Sequence, residues 1–145
     1  MAMLALGMLA SCSKESTSTT NGNGNIDITG KTTQEVFMMQ PWRSISWKDS
    51  SSKGTMETFL PCQNDDVYKF TSTTSYTITN NTKCDPTDPS ESTDVWSMAD
   101  PAGKELTFMT YKWTVESMTS TNIVMRRRWI DNQGNDICWR LTFAK

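Results

Sequence analysis

The 145 residues leave room for one folded domain, and the chain contains no histidine. The absence of histidine excludes the commonest general base, histidine-centred triads and most zinc sites. The formal net charge of −2 gives no global field that would attract nucleic acid. We therefore expect a protein that is not an enzyme, carries no cofactor and binds no nucleic acid.

The N-terminal segment has the pattern of a targeting signal. Residues 2–10 carry no charge and are too few to span a bilayer, which takes ~20 apolar residues, so they suit a signal peptide. The run ends in Leu9-Ala10-Ser11-Cys12, which resembles the lipobox of bacterial lipoproteins. That resemblance implies cleavage before Cys12 and acylation of its thiol. It predicts a signal peptide over residues 1–11 and a lipid anchor at Cys12 that inserts into membrane lipid.

The residues after Cys12 indicate the cellular location of the protein and the start of its folded domain. Ser13-Lys14-Glu15 resembles the surface-export signal of Bacteroidetes lipoproteins, so we expect outer-membrane anchoring at the cell surface, with periplasmic retention as the alternative. The polar residues that follow cannot form a core. The sequence therefore predicts a lipidated, flexible tether over residues 12–32 and one folded domain over residues 33–145.

A short helix is predicted at the start of the domain. Thr32 and Glu35 have the spacing of a capping box, in which each side chain accepts from the backbone N–H of the other residue. The apolar residues Val36 and Phe37 follow, and Pro41 stops the helix. One or two helical turns are expected.

Eight short runs beyond Pro41 have the composition and alternation of β-strands. They span residues 42–47, 67–71, 75–79, 93–98, 105–110, 111–116, 122–130 and 137–144. Most gaps between the later runs are too short for a parallel crossover, so neighbouring strands should be antiparallel. The sequence predicts an all-β, eight-stranded antiparallel up-and-down barrel with a short N-terminal helix. A two-sheet sandwich remains the alternative, because residues 80–92 form a long link.

Strand alternation assigns most side chains to a face. In the last run the apolar residues share one face; they are Ile137, Trp139, Leu141 and Phe143. Trp42 and Trp47 are five residues apart, so a regular strand would place them on opposite faces. Either one of the two indoles is exposed or a bulge lies between them.

The cysteines beyond Cys12 predict one disulfide. Cys62 precedes one strand of a predicted hairpin and Cys84 follows the other, so the hairpin brings the two together. In an exported protein the pair should be oxidised. Cys138 is then a lone thiol, expected to act as a small apolar side chain.

Several motifs resemble the lipocalin-like lipoproteins of Bacteroidetes. Besides the lipobox and tether they are Trp42 in the first strand, Leu60-Pro61-Cys62, Asp65-Asp66 before Tyr68 and Phe70, Cys84-Asp85-Pro86, and Trp96. The resemblance implies an eight-stranded, calyx-like barrel. It also implies that Trp42 packs against a basic side chain from the end of the barrel, Arg127 or Arg140.

A barrel of eight strands has room for one small ligand. Alternation projects Arg126 and Arg128 outward and Arg127 inward. One hypothesis makes Arg127 the counter-ion of a ligand carboxylate; the other stacks it on a tryptophan or leaves it at the barrel mouth. The candidate ligand-binding residues are Arg127, Tyr76, Trp96, Trp113 and Trp139.

Two functions from different classes follow. The first is a membrane-anchored lipocalin-like lipoprotein that binds a small hydrophobic or amphipathic ligand in the barrel. The alternative is a cell-surface protein-interaction, inhibitor or accessory module with a packed barrel and no ligand. Exposed aromatic side chains among Trp47, Phe59 and Trp129 would favour the alternative. Asp85, Asp88 and Glu91 share a loop without EF-hand spacing, so no metal site is predicted.

Overall fold

The structure, a computed structural model, describes residues 27–51 and 54–145. The predicted signal peptide, the lipid anchor Cys12 and most of the tether lie outside the described residues. Residues 27–31, which the sequence assigns to the tether, form a turn in which Lys31 donates its backbone N–H to the Ile28 carbonyl (3.1 Å). Ile28 packs against the core. Within the described ranges, no helix is long and apolar enough to cross a bilayer.

The described ranges hold one α-helix, one 3-10 turn and nine strands. They are α1 (Thr33–Met38), β1 (Trp42–Ser51), β2 (Gly54–Glu57), the 3-10 turn (Pro61–Gln63), β3 (Val67–Phe70), β4 (Ser75–Thr79), β5 (Glu91–Val95), β6 (Glu105–Phe108), β7 (Tyr111–Met118), β8 (Asn122–Ile130) and β9 (Asp136–Ala144). All eight predicted strands are present, although β5 lies earlier than predicted. The ninth, β2, pairs with the second half of β1 and was not predicted.

The predicted capping box of α1 is confirmed. The Glu35 N–H donates to the Thr32 hydroxyl (3.2 Å), and the Thr32 N–H donates to the Glu35 carboxylate (2.7 Å). Phe37 is fully buried, with its ring 5.0 Å from Phe70 and 5.6 Å from Trp96. The helix therefore packs its apolar face against the strands.

The strands form one antiparallel sheet in the order β5-β4-β3-β1-β9-β8-β7-β6. This is the sequential order of a meander whose first and last strands, β1 and β9, pair along most of their length. The end strands β5 and β6 share no ladder; beyond β5, Ser97 and Thr107 form an isolated bridge with hydrogen bonds of 3.0 and 2.9 Å. The all-β meander is thus confirmed, but the ladder is not continuous around the sheet.

A bulge in β1 places both of its tryptophans on the inner face. Ser44 pairs with Phe143 and Ser46 with Thr142, so Ile45 is the extra residue and is 40% exposed. Trp42 is fully buried, and Trp47 packs against the core. Of the two sequence alternatives, the bulge is the one observed.

Aromatic rings fill the interior in two groups. The first lies beside α1 and contains Phe37, Tyr68, Phe70, Tyr76, Trp96, Phe108 and Phe143. The second contains Trp47, Phe59, Tyr111, Trp113, Trp129 and Trp139. Neighbouring centroids are 4.7 to 6.4 Å apart, a spacing at which each aromatic pair adds about 0.5–1.5 kcal/mol beyond the burial of its area. The protein's own rings therefore occupy the space between the strands.

The predicted disulfide is present. Cys62 and Cys84 are bonded, with a Cα–Cα distance of 5.3 Å, and they flank the β3–β4 hairpin. Cys138, in β9, is a free, half-buried thiol.

Candidate functional site

The guanidinium of Arg127 lies among three aromatic rings at the end of the sheet away from α1. Its Cζ atom is 4.0 Å from the ring centroid of Tyr111, 4.3 Å from that of Trp129 and 5.1 Å from that of Trp139. No carboxylate in the described residues forms an ion pair with it. We call Arg127 and the second ring group the arginine cluster. Of the two hypotheses for Arg127, stacking on tryptophan is observed, and its N–H donors are left for an acceptor.

Strand register explains how Arg127 reaches these rings. Arg127 in β8 pairs with Trp139 in β9, and Trp139 pairs on its other side with Asp49 in β1. Directly paired residues point to the same face of a sheet. The three side chains therefore form one inward-facing row, with Trp139 between a cation and an anion.

Two indole N–H groups of the cluster, those of Trp47 and Trp139, differ from the indole N–H groups that have a carbonyl partner. Trp42, Trp96 and Trp113 each donate to a backbone carbonyl, at 3.0, 2.8 and 3.0 Å. The Nε1 atoms of Trp47 and Trp139 are buried but have no hydrogen-bond partner among the described residues, and the two rings are 5.1 Å apart. An unpartnered buried donor costs about 1–3 kcal/mol, so these two indoles favour an acceptor brought from outside.

Asp49 adds an acceptor to the same region. Its Oδ1 atom is buried and has no hydrogen-bond partner in the part of the chain that the structure describes. Asp49 lies two residues from Trp47, so simple alternation along β1 places it on the inner face. The sequence reasoning did not single it out, although that alternation was the signal available.

The predicted ligand-binding residues are not brought into one site. Tyr76 and Trp96 belong to the ring group beside α1 and are fully buried, and the Tyr76 hydroxyl donates to Asp94 (3.1 Å). Trp113 and Trp139 belong to the arginine cluster with Arg127. Only the last three residues can therefore contribute to a common site.

The pairing of Trp42 with a basic side chain, implied by the resemblance, is not observed. Trp42 donates to the Phe37 carbonyl from inside the core. Arg140 projects outward, where its Nε donates to Glu116 at 2.8 Å, and Arg127 lies on other rings. The expectation was wrong because Arg140 faces away from Trp42 and Arg127 stacks on rings of the arginine cluster instead.

The other two arginines of the run have the predicted outward orientation. Arg126 pairs with Glu116 at 3.5 Å, and Arg128 pairs with Asp136. Hydrogen bonding to Arg128 holds the pKa of the Asp136 carboxyl below its usual value. The Arg128–Asp136 pair is exposed and the Arg126–Glu116 pair is half-exposed, so each contributes little to stability.

Two cavities lie beside the described strands. One, of about 360 Å³, is lined mainly by residues of β6, β7 and β8 and borders Trp113 and Arg127 of the arginine cluster; its other charged lining residues are Glu105, Lys112, Arg126 and Arg128. The other, of about 370 Å³, lies beside the disulfide and is lined in part by Asp66 and Asp88. Burial, and secondarily the charge of Asp65, raises the pKa of Asp66 to about 6. In the described part of the chain no three potential ligands cluster to hold a metal.

The fold and this cluster define an antiparallel all-β domain with an arginine held on aromatic rings. No family model, curated protein or solved structure matches the chain.

Proposed function

We propose that the protein is a lipid-anchored, non-enzymatic binding protein whose strands form a lipocalin-like barrel. The sequential strand order and the pairing of β1 with β9 support the barrel, as does the bridge between Ser97 and Thr107, which lies where a closed barrel needs its last contact. The lipobox ending in Cys12 supports the anchor, and Ser13-Lys14-Glu15 supports exposure on the outer membrane surface.

Acylation and location are tested at Cys12. The full chain should incorporate a labelled fatty acid and sediment with the outer membrane, whereas Cys12→Ser should do neither. A protease added outside intact cells should then degrade the anchored protein. Protection from the protease would place the protein on the periplasmic face, and labelling that survives Cys12→Ser would contradict the anchor.

The proposed ligand is a small amphipathic molecule with an anionic head group, bound at the arginine cluster rather than deep between the strands. The observation that carries this proposal is a set of donors that find no acceptor within residues 27–51 and 54–145: Arg127, which forms no ion pair there, and the buried indole N–H groups of Trp47 and Trp139. A carboxylate or phosphate on Arg127 supplies a charged acceptor to this cluster, and hydrogen bonds to a charged acceptor are the stronger ones. The apolar part of the ligand would lie on the cluster's rings.

Octanoate is a suitable probe. It should shift the indole N–H resonances of Trp47 and Trp139 in the full chain, while those of Trp42, Trp96 and Trp113 stay in place because each already has a carbonyl partner. Arg127→Ala should weaken binding by at least tenfold. Arg126→Ala is the matched control, because that side chain points outward to Glu116. Equal losses in both variants would contradict the proposed site.

The packed interior favours a second candidate, a protein-interaction module that holds no ligand. The rings described above occupy the space that a lipocalin-type ligand would need. Of the aromatic side chains that would mark a docking surface, however, Phe59 is buried and Trp47 and Trp129 are half-buried in the arginine cluster. No response of any indole resonance to octanoate would favour this candidate over the first.

A further inference from the structure

We propose that the ligand of the arginine cluster is zwitterionic, with its anionic group on Arg127 and an ammonium group on Asp49. This inference rests on the proposed function and names the ligand class. It starts from the row Asp49–Trp139–Arg127, in which an acid and a base flank one indole across three adjacent strands.

No described residue neutralises either charge in the row. Arg127 lies on ring faces without an ion pair, and Oδ1 of Asp49 is buried without a hydrogen-bond partner. The two side chains do not form a salt bridge with each other. A purely anionic ligand would satisfy Arg127 and bring its own charge near the Asp49 carboxylate. A zwitterion provides a partner for both groups.

The sheet geometry gives the scale of the distance between the two charges of the ligand. Asp49 and Arg127 are two strands apart, so their Cα atoms are separated by roughly 10 Å, twice the spacing of neighbouring strands. The indole of Trp139 lies in this interval, and the indole of Trp47, on the strand of Asp49, is 5.1 Å from it. An apolar spacer between the charges fits such a surface, and a flexible ω-amino acid of eight carbons can span roughly 10 Å, since an extended chain covers about 3.5 Å per three bonds.

The aromatic surroundings also suit an ammonium group. Ring faces attract cations, and the attraction is strongest for indole. Arg127 occupies faces of Tyr111, Trp129 and Trp139, whereas Trp47 stands on the side of Asp49, two residues away along β1. An ammonium group placed at Asp49 would therefore have a carboxylate and an indole beside it.

The test compares three chains of equal length that differ only in charge: octanoate, octylamine and 8-aminooctanoate. Each is titrated into the ¹⁵N-labelled full chain, and the six indole N–H resonances are followed. We expect 8-aminooctanoate to bind at least tenfold more tightly than either singly charged chain, with shifts at Trp47 and Trp139. The shorter 4-aminobutanoate should bind more weakly, because its charges cannot span the row.

Asp49→Asn should bring the affinity for 8-aminooctanoate down to that for octanoate, while octanoate binds as well as before or better. Asp94→Asn is the control, since that carboxylate bonds to Tyr76 in the other ring group. Two results would contradict a zwitterionic ligand and leave the proposed anion site standing. The first is that octanoate binds as tightly as 8-aminooctanoate; the second is that Asp49→Asn still binds 8-aminooctanoate more tightly than octanoate. If none of the three chains shifts an indole resonance, the proposed function fails and this inference fails with it.

Discussion

Arg127 and Trp139 face each other across β8 and β9, with the guanidinium carbon 5.1 Å from the indole centroid. Because Tyr111 and Trp129 approach the same guanidinium at 4.0 and 4.3 Å, ring faces rather than a carboxylate hold this cation. Each such contact is worth about 0.5–2 kcal/mol, depending on how far it is desolvated. The arrangement orients Arg127 while leaving its N–H groups available to an anion.

The first prediction concerns the stability that this stacking provides. Arg127→Ala should lower the free energy of unfolding by about 1–2 kcal/mol, since it removes a cation from three ring faces. Arg128→Ala is the neighbouring control; it breaks an exposed pair with Asp136 and should cost less than about 1 kcal/mol. Urea titrations measure both values. Equal losses would mean that the ring contacts of Arg127 contribute nothing beyond those of a surface arginine.

The second prediction concerns the disulfide. Replacing Cys62 and Cys84 by serine opens a loop with a sequence separation of 22 and should cost about 3 kcal/mol in the chain-entropy model. Cys138→Ser is the control, because that thiol is free and only half-buried. Thermal unfolding with and without a reductant should distinguish the double serine variant from Cys138→Ser. A reductant should lower the midpoint of the wild-type protein and leave that of the double variant unchanged.

The local features of this fold could be predicted because neighbouring residues determine them. The capping box of Thr32 and Glu35 needs only a spacing of three residues, and the disulfide between Cys62 and Cys84 follows from one hairpin. Alternation alone left two alternatives for Trp42 and Trp47: one of the two indoles is exposed, or a bulge lies between them. What decided between them was the pairing of β1 with β9, a contact between the two ends of the domain.

The candidate site could be predicted only in part. Alternation identified Arg127 and Trp139 as inward-facing, but the rings that surround Arg127 come from three strands and depend on register. The sequence gives no means of telling which indoles reach a carbonyl, so it could not separate Trp47 from Trp42. Strand β2 was missed because residues 54–57 form a very short run next to a longer strand.

The third prediction concerns pH. Burial raises the pKa of Asp66 to about 6 from an ordinary value of 3.8, so the folded state binds its proton more tightly than the unfolded state does. The stability associated with this proton is complete below pH 3.8 and is lost as the pH rises through 6. Asp66→Asn removes that loss, so the variant should gain stability relative to wild type between pH 4 and pH 7.5.

The measurement is the difference in free energy of unfolding between variant and wild type at each pH, which cancels contributions from other groups. Asp136→Asn is the control, because pairing with Arg128 lowers the pKa of that carboxyl and moves its titration below this interval. Its difference from wild type should stay nearly constant from pH 4 to pH 7.5. A constant difference for Asp66→Asn as well would contradict the raised pKa.

The last prediction tests the bulge in β1. Deleting Ile45 leaves Ser44 opposite Phe143 and Ser46 opposite Thr142, now in a regular ladder, so every inward residue keeps its face.

Deleting Lys48 shortens the same strand by one residue beyond the bulge. Either Asp49 then turns outward, or the bulge absorbs the change and Trp47 leaves the core. If Asp49 turns outward, Trp47 stays packed against the core and only the inward carboxylate is lost. If Trp47 is displaced, the Lys48 deletion should cost at least about 2 kcal/mol more in unfolding free energy than the Ile45 deletion, because losing a large aromatic side chain from a core costs about 3–5 kcal/mol. Urea titrations followed by tryptophan fluorescence measure the unfolding free energies of both deletion variants. If Trp47 is displaced, the folded Lys48 deletion variant should also show the red-shifted emission of a solvent-exposed indole. If the Ile45 deletion lowers the unfolding free energy as much as the Lys48 deletion does, the bulge stabilises the protein through the bend it puts in β1. Its contribution would then not be the placement of Trp47 on the inner face.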